Sequence, residues 1–162
     1  MKHSPLDRLL ELRRRREMKA LEALTGRQGA HRRAKTQADE AQTAVIRHAA
    51  NAKDRERALM ASHMGRAISQ TALRRLQDSL DTMAIEQKDL KTLAETARKE
   101  LAERVKELQK ARKTYQGHHA DAERLKTLRD EEKTRAARHR LVIEETIEED
   151  QTGLAAQRSQ SL

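Results

Sequence analysis

A heptad-spaced stripe of apolar residues runs through the second half of the chain, and it limits the possible folds more than any other feature. Steps of three and four residues from Leu73 reach 22 positions up to Thr146, and 15 of them are apolar. Hydrophobic residues make up 36% of the chain, so an unpatterned sequence would place only about eight there. Such spacing is typical of a helix whose apolar seam packs on another helix. The stripe is dense as far as Leu125 and thins afterwards.

The remaining composition fits long, solvent-exposed helices and not a globular core. Tyr115 is the single aromatic residue, and 38% of the residues are charged. Large apolar side chains each contribute roughly 1.5–3 kcal/mol on burial, so their scarcity leaves little to stabilise a compact domain. We therefore predict an all-α fold, a long two-helix antiparallel coiled-coil hairpin whose second helix is longer than the first. The first helix carries a weaker stripe with small residues through its middle: Leu10, Leu21, Leu24, Ala38, Val45, Ala49, Ala52 and Leu59.

Proline and glycine set the predicted boundaries. Pro5 is the only proline, and its position suits the first residue of a helix. Gly65 lies in a segment without charge alternation, which predicts the hairpin turn there, with Ser69 or Thr71 capping the second helix. Gly153 predicts the end of that helix. The expected organisation is one domain with helix 5–62, loop 63–69, helix 70–150 and a flexible tail 151–162.

Folding the chain about residue 65 or 66 predicts which residues lie opposite one another. Leu6 then faces Leu125, the point at which the seam thins, and later residues have no partner within the chain. The second helix should continue alone for about 25 residues. This segment contains apolar residues at 141–143 and 147, and an exposed apolar stripe favours binding to another protein. Its acidic residues at 144–150 oppose the helix dipole, so we expect something other than local helix stability to favour them, such as a basic partner surface.

The chain lacks the patterns of catalytic and cofactor sites. It contains no cysteine, which excludes disulfides, thiolate nucleophiles and cysteine-ligated zinc. No histidine pair has the i, i+4 spacing with a carboxylate that a helical metal site favours, and no nucleophile elbow or phosphate loop occurs. We predict a non-enzymatic protein with no cofactor, metal or small-molecule substrate. The sequence also lacks a membrane-spanning run and a signal-peptide pattern, so we expect a cytoplasmic location.

The net charge of +9 is compatible with an acidic partner, whether nucleic acid, anionic membrane or acidic protein. The run Arg13-Arg14-Arg15-Arg16 is interpreted as a solvated helix face, an acidic-protein contact or a nucleic-acid contact. The solvated face is favoured, because four consecutive residues point around nearly the whole helix. Nucleic acid is disfavoured, because 26 acidic residues are interspersed and aromatic stacking platforms are absent. Met60 and Met64 near the turn either fill packing gaps or form an adaptable contact surface.

The residues around the turn carry a resemblance to a known family. Met64-Gly65-Arg66-Ala67-Ile68-Ser69 precedes Leu76, Leu80, Met83 and Gln87, so that apolar residues four and three apart lead to a polar position. In these residues, and in a basic first helix, a turn near residue 65 and a longer second helix, the chain resembles the YscO/FliJ family. These are coiled-coil stalk proteins of bacterial type III secretion and flagellar export. The resemblance implies a structural likeness to the γ stalk of rotary ATP synthases.

The resemblance also implies a function. Such a protein would seat the open end of its hairpin in the pore of a hexameric secretion ATPase and present other surfaces to the export gate. Secretion chaperones or the needle-length regulator would be further partners. A monomer is expected in the bacterial cytoplasm, at the base of the secretion apparatus, peripheral to the membrane through its partners only. The implied ATPase contacts are Leu141, Ile143, Ile147, Arg13 and Arg16, and the implied export-gate contacts are Leu76, Leu80, Met83 and Gln87.

Two other functions stay open. A homo-oligomeric structural coiled coil would use the same heptad pattern for pairing between chains. A basic nucleic-acid-binding coiled coil would use the excess of positive charge and would bind with a steep dependence on salt.

Overall fold

Two α-helices form a helical hairpin. The computed structural model describes the backbone of residues 5–160 and the side chains through residue 152. α1 covers Pro5–His63 and α2 covers Gln70–Gln160, so the second helix is the longer one. The two helices pack against each other, and the predicted fold class is confirmed. None of the described residues forms a helix with the length and hydropathy needed to span a membrane.

The turn between the helices consists of the six residues 64–69. Gly65 has a φ of 73°, in the left-handed region where a side chain causes strain. The Arg66 N–H donates to the His63 carbonyl oxygen at 3.4 Å and closes the end of α1. Ser69 caps α2, because its Oγ accepts a hydrogen bond from the Ala72 N–H at 3.2 Å. Of the two predicted caps, Ser69 is therefore the one used.

The end of α2 differs from the prediction. The helix continues through Gly153 to Gln160, ten residues beyond the predicted end at 150, and residues 161–162 of the predicted tail lie outside the described residues. One glycine costs a helix only about 1 kcal/mol relative to alanine, and no proline follows. Gly153 is therefore too weak a breaker to end the helix by itself.

The seam of α2 is shielded from solvent over most of its length. Each predicted heptad position from 76 to 129 is buried or half-buried, whereas Leu73 is exposed. Every described α2 residue from 130 to 152 is exposed. The shielded positions are Leu76, Leu80, Met83, Gln87, Leu90, Ala94, Ala97, Leu101, Arg104, Leu108, Ala111, Tyr115, His118, Ala122, Leu125 and Arg129. The heptad pattern therefore located the buried face of α2 correctly.

The seam of α1 was predicted less well. Leu21 and Ala49 were expected on the buried stripe, but both are exposed, whereas Ala20 and Ala34 are buried. Three of the five buried residues of α1 are alanines, and alanines also occur at exposed positions of the same helix. The hydrophobic contrast between faces is therefore weak, and the sequence does not fix the buried face to within one residue.

Cross-helix contacts occur within two compact units, each of which contains segments of both helices. The terminal unit contains α1 up to Leu21 and α2 from Thr114 onwards, and the turn unit is Glu22–Lys113. In the terminal unit, Leu10 and Ala122 are buried. Among the described residues, the ion pairs Arg13–Asp121 at 3.0 Å and Asp7–Arg129 at 3.7 Å join its helices, and His119 Nδ1 lies within hydrogen-bond distance of Glu17 Oε1, at 2.6 Å.

In the turn unit, the buried residues are Leu24, Ala34, Ala38, Ala94 and Leu108. Arg27 pairs with Glu107 at 2.8 Å, and Arg98 donates to Gln42 at 2.7 Å. None of the residues from 39 to 93 is buried, and the residues on the seam there are half-buried or, like Leu73, exposed. The part of this unit next to the turn is therefore held by fewer close apolar contacts than the rest.

The register differs from the prediction by about one helical turn. The expected partner of Leu6 was Leu125, but its neighbour Asp7 pairs with Arg129, and Arg13 pairs with Asp121. Each α2 partner thus lies three to five residues later than predicted. The predicted centre of the turn was residue 65 or 66, whereas the six-residue turn 64–69 has its centre between residues 66 and 67. A shift of the centre by one residue moves the residue opposite a given position by two, so the turn accounts for part of the difference.

Candidate partner-contact surfaces

The described part of α2 that follows Arg129 lies outside the packed seam of the terminal unit. Arg129 is the last half-buried residue, and it pairs with Asp7 near the start of α1. We call residues 130–152 the free segment. Their side chains are all exposed.

The apolar residues of the free segment divide between two faces. Leu141, Ile143 and Ile147 are 58%, 45% and 50% exposed. With about 100° of rotation per residue, Ile143 and Ile147 lie only about 40° apart, whereas Leu141 lies about 160° from Ile143. Ile147 also shares the helix face of Arg129, which points towards α1. The structure therefore brings Ile143 and Ile147 together on the continuation of the seam, and it places Leu141 on another face.

The two predicted arginine contacts have different surroundings. Arg13 Nη1 donates to Asp121 at 3.0 Å, and its side chain is 34% exposed. Arg16 is exposed and makes no ion pair with any described residue. Arg13 therefore helps to hold α1 on α2, whereas Arg16 is available to a partner without loss of an internal contact.

The predicted export-gate residues lie at the turn end of the turn unit. Leu76, Leu80, Met83 and Gln87 are half-buried, so each is only partly accessible. Beside them is a largely apolar groove of about 540 Å³, lined by Arg55, Ala58, Leu59, Ser79, Thr82, Met83 and Glu86. A second groove, of about 460 Å³, also has Met83 in its wall, together with Leu80 and Gln87. Met83 is thus accessible from both grooves, and Leu80 and Gln87 from one.

Gln87 takes part in an internal contact that the sequence did not reveal. His48 Nδ1 lies 2.7 Å from Gln87 Oε1, and His48 Nε2 lies 3.0 Å from a carboxylate oxygen of Glu86. Both partners are acceptors, so the arrangement suits an imidazolium that donates from both nitrogens. The pKa of His48 is raised, because the hydrogen bonds to Glu86 and then to Gln87 favour the protonated ring. This His48 clasp joins the helices within the weakly packed part of the turn unit.

Exposed apolar residues also occur where the seam count could not find them. Met64 in the turn is 79% exposed, and Met60 and Ile68 beside it are also exposed. Ile46 and Ile85 are 61% and 60% exposed. Neither isoleucine lies on the heptad seam, so periodicity gave no signal for them. Of the two interpretations of Met60 and Met64, their exposure favours a contact surface over a packing role.

In comparisons with known proteins, no family model, curated protein or solved structure matched this chain. The function proposed below therefore depends on the surfaces described above and on the resemblance seen in the sequence.

Proposed function

We propose that this chain is a non-enzymatic stalk protein of a bacterial type III secretion system. In this proposal it contacts a hexameric secretion ATPase through the free segment and the export gate through the turn end, and so promotes protein export. It works in the bacterial cytoplasm, at the base of the secretion apparatus, and reaches the membrane only through these partners.

The observation that carries the proposal is the free segment itself. It is a helical stretch with exposed Ile143 and Ile147 on the face that, earlier in α2, packs on α1. A single helix of about 10 Å diameter fits a narrower opening than two packed helices do. A pore in a hexameric ATPase is an opening of this kind. The acidic residues that follow Ile143 favour a basic lining, and Arg16 supplies a positive contact at the start of α1.

The turn end supports the second contact. The turn unit has an apolar groove beside Met83 and, in the turn itself, the exposed Met64 and Ile68. Methionine side chains adapt to partners of varied shape. In the proposal this part of the turn unit meets the export gate, and the chaperones or needle-length regulator bind elsewhere on the hairpin. In the proposal, Leu76 and Leu80 contribute mainly by positioning α2 against α1, because both are half-buried on the seam.

The proposal is tested with the hexameric type III secretion ATPase of the organism that produces this protein. We expect the full chain to co-purify with that ATPase and to raise its rate of ATP hydrolysis. The double substitution Ile143→Asp with Ile147→Asp should abolish the stimulation, because two charges would replace the apolar contacts. Ile46→Asp is the control, since Ile46 is also an exposed isoleucine, at 61%, but lies in the turn unit. Absence of both co-purification and stimulation by the unmodified chain would refute the proposal.

A further inference from the structure

The free segment carries its charges in two blocks of opposite sign. Residues 133–140 contain four lysines and arginines and no acid, whereas residues 144–150 contain five acids and no lysine or arginine. All of these side chains are exposed, and none forms an ion pair with a described residue. Two such segments placed in parallel would set like charges against like, and an antiparallel arrangement would set opposite charges together.

The same segment has a helix face that is symmetric about its own middle. Steps of three and four residues along the seam face reach Lys133, Ala136, Arg140, Ile143, Ile147 and Asp150. Measured outwards from the point between Leu141 and Val142, these residues fall into three pairs at equal distances: 140 with 143, 136 with 147, and 133 with 150. A face with this property can meet a second copy of itself around a two-fold axis.

We infer that the free segment pairs with the free segment of a second copy of this chain, in antiparallel orientation, with the two-fold axis between Leu141 and Val142. Ile147 of each copy lies on Ala136 of the other, where the small side chain leaves room for the larger one. Ile143 lies against the aliphatic part of Arg140, whose guanidinium reaches the acidic block of the other copy. Lys133 and Asp150 meet at each end of the contact.

The contact is a weak and reversible one. Each copy covers only Ile143 and Ile147 among its large apolar side chains, and the opposed charges are exposed to solvent. The pairing does not rest on the proposed function, although it covers the same two isoleucines. Pairing and ATPase binding therefore exclude one another, and the monomer expected at the ATPase is the dissociated form of the pair.

Sedimentation velocity of the full chain tests the association. Between about 10 and 500 µM protein at low salt, we expect a concentration-dependent shift from monomer to dimer. In 0.5 M salt the dissociation constant should rise at least about tenfold, because exposed charges are screened. Ile143→Glu should leave a monomer, and Leu141→Glu should still dimerise because Leu141 lies on another face. A monomer at every concentration, or a dimer that survives Ile143→Glu, would overturn the inference.

Disulfide trapping tests the orientation, since the chain has no cysteine of its own. A mixture of full-length Ala136→Cys and Ile147→Cys proteins should form a mixed disulfide on mild oxidation. Each variant alone should cross-link poorly, because positions 136 and 136 of two antiparallel copies lie about 16 Å apart along the axis. A disulfide requires Cα atoms within about 7 Å. Efficient cross-linking of Ala136→Cys by itself would indicate parallel pairing and refute the proposed arrangement.

The two proposals fail separately. A chain that forms the mixed disulfide but neither binds nor stimulates the ATPase would remove the proposed function and leave the pairing. A chain that stimulates the ATPase but stays monomeric would remove the pairing and leave the proposed function.

Discussion

Replacement of glycine by alanine should change the free energy of unfolding of this hairpin in opposite directions at Gly117 and at Gly65. Gly117 lies within α2, and a Cβ added there meets no atom within 4 Å outside its own helical turn. A helical glycine costs about 1 kcal/mol relative to alanine, mainly through the backbone entropy of the unfolded chain. Gly117→Ala should therefore raise the free energy of unfolding by about 0.5–1 kcal/mol. Gly65 has a φ of 73°, so Gly65→Ala should lower it by about 1–2 kcal/mol.

Urea unfolding followed by far-ultraviolet circular dichroism measures both effects. With a slope of about 2 kcal/mol per molar urea, Gly117→Ala moves the midpoint upwards by about 0.3–0.5 M. Gly26→Ala is a second positive control, because a Cβ at Gly26 also meets nothing within 4 Å. The comparison requires a dilute protein, so that association does not add to the apparent stability.

The opposite outcomes would refute the reasoning in specific ways. A loss of stability in Gly117→Ala would mean that this glycine serves a helix bend or a close contact and does not merely weaken the helix. A gain in Gly65→Ala would mean that the turn does not use a left-handed residue at that position.

Three further changes test the packing and the charges. Leu10→Ala should lower the free energy of unfolding by about 2–4 kcal/mol in thermal or urea melts, because the side chain is almost fully buried, whereas Leu9→Ala should have little effect since Leu9 is exposed. Ala38→Leu should cost about 1–3 kcal/mol in the same assay, because the added atoms overfill a buried position between the helices; unchanged stability would contradict the tight packing. The contribution of His48 should be fully present below its ordinary pKa of 6.5 and lost as pH rises through its raised folded-state pKa. Unfolding measured against pH should therefore show a stability difference between the wild type and Glu86→Gln that shrinks towards alkaline pH; a constant difference would exclude the clasp.

The sequence located the buried face of α2 because large apolar residues mark it at regular intervals. Positions such as Leu76, Leu108 and Leu125 stand out against charged neighbours, and any helix with that spacing must turn them to one side. In α1 the corresponding signal came partly from alanines, which occur at both buried and exposed positions of that helix. The exposed Ala49 and the buried Ala34 show the consequence.

The candidate contact surfaces were anticipated only in part. The exposure of Ile143 and Ile147 followed from the thinning of the seam after Leu125. The separation of Leu141 from them follows from helix geometry, which a count of apolar residues in a short stretch does not consider. His48 could not be singled out, because its role depends on Glu86 and Gln87, which lie nearly forty positions later in the chain.

The sequence by itself determined that this protein has two helices, a turn at Gly65 and a seam that ends before the second helix does. These properties depend on residues close together in the chain, through helix propensity, glycine conformation and heptad spacing. Only the tertiary structure decided the register, which sets Asp7 against Arg129, one turn later than expected. Register depends on the exact length of the turn and on pairs of side chains from both helices, and the periodicity of either helix alone is compatible with more than one alignment.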